Sequence, residues 1–335
     1  MKVFIEAYLY GNLGDDLFLD ILSERYPNTE FITVSHFYEP ISEQVKVHND
    51  RWLGKLIPLR KIQKFYAKKC DLVVSIGGSM YIEGVSEMSP VADFGKKYYI
   101  IGANFGPYDS QQYVRKHHQF FLNAEDVCFR ENYSYRLFQE IKNVRKAPDI
   151  VFSCKYIPEH REHRHQLILS VINCQNELEK YRECYLSKMA QLAENFVERG
   201  YEVCCMSFCK AQKDEEAIEE IRRRCKVSID TYYYRGNHKE ALQMIADCEV
   251  VIGTRFHANV LGFLFHKAVI PIVYSKKTSN MLEDLNFQGK SISLNEIDKF
   301  EAEEITEQDL QYRLEIDKIK ERAEEQFMKL DKVLN

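Results

Sequence analysis

Long apolar runs are missing from this 335-residue sequence, and none approaches the roughly 20 residues that a membrane-spanning helix requires. The amino-terminal stretch MKVFIEAYLYGNLGDD also lacks the basic, apolar and small-residue segments of a secretory signal. Both absences argue against an integral membrane protein and against an exported one. We therefore expect a cytoplasmic protein, which would meet a membrane only peripherally and at its inner face.

Excess positive charge is missing as well. The net charge of −5, with acidic and basic residues interspersed, excludes the basic footprint of a general nucleic-acid binder. The ten cysteines show no CxxC pairing, which predicts reduced thiols. His160, His163 and His165 lie together in a polar segment but without an acidic or thiol ligand pattern, so we expect no metal site.

Short apolar runs of strand length are plentiful and alternate with helical patterns, from KVFIEAYL near the start to AVIPIVYS near residue 270. This alternation predicts parallel α/β sheets with ligand loops at the carboxyl ends of the strands. The polar segment KYIPEHREHRHQ separates two sets of these runs. We expect one α/β domain over residues 1–158, a second over 166–290, and an amphipathic C-terminal helix within 291–335.

The first glycine-rich turn, GNLGDD, lies between a strand and a helical pattern and is not the dinucleotide-binding fingerprint GxGxxG. Its glycines let the backbone turn tightly, and Asp15 or Asp16 can cap the following helix. The alternative is a functional interpretation. In that interpretation one of these carboxylates accepts a hydrogen bond from a sugar hydroxyl or acts as a base.

A second turn, GGSMYIEG, follows the apolar strand DLVV. The backbone amides of Gly78 and Ser79 could face an anion, although many turns of this kind use paired glycines only for packing. One strand further along the pattern, Arg130 follows DVCF. An arginine at a strand end can clamp a phosphate or a carboxylate, and a surface salt bridge explains it as well.

The stretch VIGTRFHANVLGF puts Arg255 and His257 where a buried strand should meet a helix. If TRFH stays extended, both side chains project to one side and Phe256 anchors the other. If it is already helical, residues two apart diverge by about 200° and the pair loses its common target. A helix that begins near His257 or Ala258 adds its positive N-terminal end to the same place. We expect an anion pocket here. The alternative pairs Arg255 with a nearby acid and leaves His257 as a helix cap.

A basic segment, RWLGKLIPLRKIQKFYAKK at residues 51–69, mixes seven basic residues with apolar ones and contains no acid. Such a stretch can lie on an anionic membrane surface. The alternative is a helical region of the first domain whose apolar side joins the core.

Taken in order, GNLGDD, GGSMYIEG, IGANFGP, FRENYS with APDIVF, VIGTRFHANVLGF and PIVYSKKTSNMLEDL resemble the polysaccharide pyruvyl transferase family along essentially the whole chain. Two specific elements carry the resemblance: an RxH after the VIG strand and an earlier R-acidic-x-x-S. They are met by Arg255, Phe256, His257 and Ala258, and by Arg130, Glu131 and Ser134.

One turn departs from the family pattern, because three successive glycines are common there and this chain has Gly77, Gly78 and Ser79. Ser79 keeps the backbone donor and adds a hydroxyl, so we expect altered contacts rather than lost function. The resemblance also implies a GT-B-like fold. In that fold two Rossmann-like domains face each other across a cleft, and the C-terminal helix returns toward the first domain.

The resemblance further implies a reaction. The pyruvyl group of phosphoenolpyruvate moves to two hydroxyls of one sugar of a polysaccharide or its lipid-linked precursor, which forms a cyclic ketal and releases phosphate. Neither a metal nor a redox cofactor is implied. Permanently charged guanidinium groups suit this donor, so Arg130 and Arg255 are the expected clamp and His257 the expected acid. We place Ser275 and Lys277 beside the donor, and Asn12, Asp15, Asp16, Gly78 and Ser79 beside the acceptor.

Two alternatives stay open at this point. A nucleotide-sugar-dependent glycosyltransferase of similar fold would use UDP- or GDP-sugars. A non-catalytic carbohydrate- or anion-binding protein would keep the cleft and lack turnover. Lys277 also has an alternative as an ordinary surface lysine.

Overall fold

The structure is a computed structural model that describes residues 1–35, 42, 44–48, 57–85, 95–159 and 164–335. His160, His163 and residues 51–56 of the basic segment therefore lie outside the described residues. The chain divides into two compact units. The first comprises Met1–Tyr10, Asp15–Cys154 and Lys318–Asn335, and the second comprises Gly11–Gly14 and Lys155–Asp317.

The first unit is built on a parallel sheet with the described strand order β3-β2-β1-β4-β5-β6-β7. Its strands are β1 (Lys2–Glu6), β2 (Glu30–Val34), β3 (Val45–His48), β4 (Leu72–Ile76), β5 (Lys97–Ala103), β6 (Asp126–Phe129) and β7 (Val144–Lys146). Its helices before residue 154 are α1 (Leu13–Arg25), α2 (Leu59–Lys68), α3 (Gln111–Leu122) and α4 (Asn132–Phe138). The central strand β4 is buried along its whole length, as expected when helices cover both faces of a sheet.

The second unit repeats this plan with the described order β10-β9-β8-β11-β12-β13, again parallel. Its strands are β8 (Gln166–Ser170), β9 (Glu202–Ser207), β10 (Asp230–Tyr233), β11 (Val250–Gly253), β12 (Ala268–Val273) and β13 (Ile292–Ser293). Its helices are α5 (Arg182–Glu198), α6 (Asp214–Arg224), α7 (His238–Asp247), α8 (Phe256–Leu264), α9 (Lys276–Asp284) and α10 (Glu307–Gln311). The two parallel sheets confirm the predicted α/β class.

Each sheet reverses its strand order once, between β1 and β4 in the first unit and between β8 and β11 in the second. In doubly wound sheets, ligands bind outside the carboxyl ends of the strands at such a reversal. The turns GNLG and GGS follow β1 and β4, and TRFH follows β11. The glycine-rich and cationic motifs therefore occupy the positions at which this fold binds ligands.

The C-terminal segment differs from the single continuous helix that its periodicity predicts. Short helices α10, α11 (Asp317–Ala323) and α12 (Asp331–Leu334) are joined by irregular and 3₁₀ segments. A capping box formed by Thr306 and Asp309 starts α10, and the extended backbone of Tyr312 ends it. The periodic side chains Leu310, Phe327 and Leu330 are nevertheless buried. Apolar spacing thus identified most of the core positions, although Ile319 is only half-buried, and it did not identify the breaks.

One glutamine attaches this segment to the sheet of the first unit. The buried Gln326 side chain accepts a hydrogen bond from the Gly102 amide at 2.9 Å and donates to the carbonyls of Ala147 and Pro148 at 2.8 and 2.9 Å. Nearby, Arg145 donates to the carbonyl of Gln326 at 2.8 Å. The carboxyl-terminal residues therefore supply hydrogen-bond partners to backbone groups that would otherwise be buried without any.

No helix among the described residues is both long enough and apolar enough to cross a membrane.

We predict that Gln326→Leu lowers the free energy of unfolding of the first unit by at least about 2 kcal/mol. The substitution leaves the Gly102 amide and the carbonyls of Ala147 and Pro148 without their hydrogen-bond partner. Urea titration measures the change. Gln112→Leu is the matched control, since Gln112 is exposed on α3, and we expect it to stay within about 0.5 kcal/mol of wild type. Equal losses in the two variants would contradict the assigned role of Gln326.

Candidate functional site

The RFH motif lies at the start of α8, directly after β11. Arg255 has extended backbone angles, and the helix begins at Phe256, so His257 already lies in the first helical turn. The expectation that Arg255 and His257 project together from an extended segment is therefore wrong, because helical geometry turns successive side chains by about 100°. Phe256 is buried, as expected of a core anchor. The two polar side chains are each oriented by contacts of their own.

Arg255 pairs with a buried acid on α6. Its Nε donates to Asp214 Oδ2 at 3.0 Å, its Nη2 donates to Asp214 Oδ1, and its Nη1 donates to Gln212 Oε1. Burial lowers the pKa of Arg255, but the charge and hydrogen bonds of Asp214 outweigh it and raise the pKa above its usual range. A guanidinium carries five N–H donors, and these bonds occupy three of them. One donor on Nη1 and one on Nη2 have no described acceptor.

Asp214 also organises the loop that follows β9. Its Oδ2 accepts the backbone amides of Phe208 and Cys209, each at 2.9 Å, and the side chain is fully buried. The pairing of Arg255 with a nearby acid, which sequence analysis kept as the alternative, is the arrangement in the structure. It fixes the direction of the guanidinium and neutralises its charge.

The GNLG turn is bound to this same loop. The Leu13 amide donates to the Phe208 carbonyl at 3.0 Å, and Asn12 forms an antiparallel bridge with Cys209. The Asn12 side chain accepts the Gly14 amide at 3.0 Å and thereby caps α1. Asn12, and not Asp15 or Asp16, is thus the cap, and the acceptor residue predicted at position 12 belongs to the second unit.

His257 packs directly on Gly14. A methyl group built on Gly14 would overlap Nδ1, Cγ and Cε1 of the His257 ring. Gly14 has no left-handed backbone angle, so the requirement for glycine there is the space that the imidazole occupies. The GNLG turn, the loop after β9 and the RFH motif therefore form one connected structure in the second unit.

The expected donor residues Ser275 and Lys277 lie at the start of α9, after β12. Ser275 precedes the helix, and its Oγ lies 3.5 Å from the Thr278 hydroxyl. Lys277 Nζ lies 6.0 Å from the centre of the Phe256 ring, at the first residue of α8. Helices α8 and α9 follow neighbouring strands of a parallel sheet, so their positive N-terminal ends add to the potential at this edge.

A tyrosine missed by sequence analysis connects the loops at the strand-order reversal of this sheet. The buried Tyr185 hydroxyl accepts the Ile172 amide at 3.2 Å and shares a 2.9 Å hydrogen bond with the Thr254 hydroxyl. The Thr254 amide donates to the Ser170 carbonyl at 2.9 Å. The residue before Arg255 is thus held by both neighbouring elements.

In the first unit, Arg130 and Gly78 come together at the carboxyl edge of the sheet. Arg130 Nη1 donates to Asp149 Oδ2 and Nη2 donates to Asn104 Oδ1, both at 2.8 Å. The two charged side chains are only 3% and 2% exposed, so Arg130 forms a salt bridge, as in the alternative interpretation, but a buried one and not one at the surface. A methyl group on Gly78 would overlap the guanidinium. The second glycine turn is therefore packed on the arginine.

The acidic residue and the serine of the R-acidic-x-x-S element have local structural contacts. Glu131 caps α4 by accepting the Ser134 amide at 3.0 Å and also accepts the Ser134 hydroxyl. Ser134 Oγ in turn accepts the Phe105 amide at 2.7 Å. Burial raises the pKa of Glu131, although the bonds from Ser134 oppose the shift. This element fixes the loop after β5, which carries the Asn104 partner of Arg130.

The remaining predicted acceptor residues occupy different environments in the first unit. Asp15 lies beside Gly77, since a methyl group on Gly77 would be 3.8 Å from its Oδ1. Asp16 is buried in the first turn of α1, and Ser79 is exposed. Asp15, Gly77 and Gly78 therefore share the strand-order reversal between β1 and β4.

A family model described as polysaccharide pyruvyl transferase matches residues 12–276. The chain belongs to the polysaccharide pyruvyl transferase family. The amylovoran biosynthesis protein AmsJ of Erwinia amylovora is 21% identical over 310 residues, which cover 82% of this chain and 73% of AmsJ. The resemblance inferred from the RxH and R-acidic-x-x-S elements is confirmed.

Solved structures share the fold of this pyruvyl transferase family member at low identity. The UDP-GlcNAc 2-epimerase of Methanocaldococcus jannaschii, in complex with UDP-GlcNAc and UDP, matches with a TM-score of 0.64 and 11% identity over 98% of this chain and 100% of that one. Anabaena HepE, in complex with UDP and glucose, matches with a TM-score of 0.55 and 13% identity over 98% and 99%. These likenesses confirm the predicted GT-B-like class of two Rossmann-like domains.

We predict that Gly14→Ala destabilises the second unit by about 1–3 kcal/mol, because the added methyl group displaces the His257 ring. In a His257→Ala background the same change should be neutral or stabilising by up to about 1 kcal/mol, since alanine favours helices over glycine. A double-mutant cycle measured by urea unfolding tests this coupling. Equal effects in both backgrounds would refute the assigned contact.

Proposed function

We propose that this family member transfers the pyruvyl group of phosphoenolpyruvate to two hydroxyls of one sugar in a polysaccharide or its lipid-linked precursor. The products are a cyclic ketal and phosphate. One observation carries the proposal: the RFH motif lies at the N-terminal end of α8, with Arg255 oriented by Asp214 and His257 packed on Gly14. Family membership supports a transferase that acts on polysaccharides.

Recognition of the donor follows from the charges present in the second unit. Phosphoenolpyruvate carries a carboxylate and a phosphate, and the Nη1 and Nη2 donors of Arg255 suit a planar or tetrahedral oxyanion. Because Asp214 balances the Arg255 charge, further positive potential must come from elsewhere. The N-terminal ends of α8 and α9, Lys277 and a protonated His257 are the proposed sources, and the Ser275 hydroxyl adds a donor. In the first unit, Arg130 is the proposed cation.

The proposed chemistry needs one acid and one base. A proton adds to the methylene carbon of phosphoenolpyruvate, and a sugar hydroxyl bonds to the neighbouring carbon as it loses its own proton. The bond from that carbon to the phosphate oxygen then breaks, and a second hydroxyl closes the ketal. Of the two hydroxyl protons lost, one balances the proton gained by carbon and the other balances phosphate protonation. His257 is the proposed proton donor.

The acceptor assignment rests on the strand-order reversal of the first unit. Asp15 lies beside Gly77 there, and Gly78 and Ser79 follow it in the chain. We assign Asp15 to a hydrogen bond with a sugar hydroxyl, whereas Asp16 is buried. The cytoplasmic location is part of the proposal because phosphoenolpyruvate is made there, and neither a metal nor a redox cofactor is invoked.

Thermal-shift measurements with phosphoenolpyruvate, UDP and GDP test the donor. A ligand that binds only the native state raises the melting temperature by mass action, so we expect a concentration-dependent shift with phosphoenolpyruvate and none with the nucleotides. Mass spectrometry of candidate lipid-linked and nucleotide-linked sugars should then detect a pyruvyl adduct. A shift with UDP or GDP alone would favour glycosyl transfer, and binding without phosphate release would indicate a non-catalytic protein.

Substitutions in the RFH motif test the assigned roles. Arg255→Lys should lower kcat/KM at least about tenfold, because lysine cannot reproduce the forked pairing with Asp214 and the donor. His257→Ala should nearly abolish phosphate release. Arg222→Lys is the control, since Arg222 is exposed on α6, and its turnover should match wild type. Wild-type turnover in both RFH variants would remove the assignment.

A further inference from the structure

Helix α2 presents two very different faces. Ile62 and Ala67 are buried and belong to the apolar core of the first unit. This is the arrangement that sequence analysis set as the alternative to membrane binding, a helical region whose apolar side joins the core. It leaves unexplained why the opposite side of the same helix carries so much charge of one sign.

Most of the outward side chains of α2 and its cap are cationic. Arg60, Lys61, Lys68 and Lys69 are exposed and Lys64 is half-buried. No acidic residue occurs in the sequence between Asp50 and Asp71, although the chain as a whole has a net charge of −5. Side chains four apart are neighbours on a helix, so these cations form adjacent rows instead of scattering around it.

An aromatic side chain lies within this cationic surface. Phe65 is 55% exposed, and the Lys69 ammonium lies 3.8 Å from the centre of its ring. Phe65 occupies the same row as Lys61 and Lys69, one helical turn from each. A large apolar group surrounded by lysines on the outside of a helix is typical of helices that lie in the interface of an anionic bilayer.

We propose that the exposed face of α2 docks on an anionic lipid bilayer. The lysine ammonium and arginine guanidinium groups contact the lipid phosphates. Phe65 inserts at the boundary between the lipid head groups and the acyl chains. This inference does not depend on the proposed reaction, because it uses only the charge, exposure and helical arrangement of residues 59–69.

A nucleic acid fits these observations less well than a bilayer. One face of Phe65 is covered by Lys69, which limits base stacking on the ring. A long polyanion would also meet the acidic remainder of the chain, whereas a flat bilayer touches only the exposed helix.

Vesicle sedimentation tests the proposal with the full chain. Phosphatidylcholine vesicles with and without phosphatidylglycerol are compared, and we expect binding only when the anionic lipid is present. Neutralising Lys61, Lys64, Lys68 and Lys69 to glutamine should lower the partition coefficient at least about tenfold. The control neutralises Lys97, Lys116, Lys142 and Lys329, which are exposed lysines of the same unit, and should lose far less.

Two further measurements complete the test. Phe65→Ser keeps all the charges, so we expect it to weaken binding to the anionic vesicles while the melting temperature stays near that of wild type. Added sodium chloride should weaken binding, because the contact is electrostatic. The proposal would be overturned if the two four-lysine variants lost equal amounts of vesicle binding, or if the protein bound neutral and anionic vesicles equally. It would also be overturned if the protein bound RNA but not vesicles.

Discussion

The candidate chemistry of the second unit depends on one buried carboxylate, Asp214. It accepts two backbone amides of the loop after β9 and also holds Arg255. A desolvated guanidinium without such a partner would be strongly unfavourable, so Arg255 can stay inside the protein only while Asp214 is charged and in place. The same loop binds the GNLG turn, and that turn seats His257. The positions of both RFH side chains thus follow from a single acid.

The two units use a glycine for the same purpose. Gly14 provides the space for the His257 ring, and Gly78 provides the space for the Arg130 guanidinium. Neither glycine adopts a left-handed conformation, so backbone freedom does not explain either position. The missing side chain is the relevant property, because it lets a polar group pack against main chain at the carboxyl edge of a parallel sheet. The arginine in each unit is also compensated by an acid from a different element.

Sequence patterns predicted the sheets and the strand-end motifs, because these depend on local periodicity and on short spacings, and the resemblance of these motifs to a known family indicated the family. They did not predict Asp214, which lies 41 residues before its partner Arg255 in a run of acids that resembles an ordinary helix start. The start of α8 lies one residue before the predicted position near His257, and no side-chain cap marks it. The breaks after α10 were missed because apolar periodicity continues across them while the backbone does not. The structure therefore adds to the sequence prediction the long-range ion pair between Asp214 and Arg255 and the positions at which the helices begin and end.

The contacts of Gln326 have a consequence for the order in which the protein is made. Most of the first unit lies before residue 155, yet residues 318–335 also belong to it, and their hydrogen-bond partners include Gly102, Ala147 and Arg25. Residues 318–335 are synthesised after residues 155–317, which make up most of the second unit. The first unit therefore cannot form its full set of native contacts until the second unit has been synthesised, and until then the Gly102 amide lacks the Gln326 side chain as its hydrogen-bond partner.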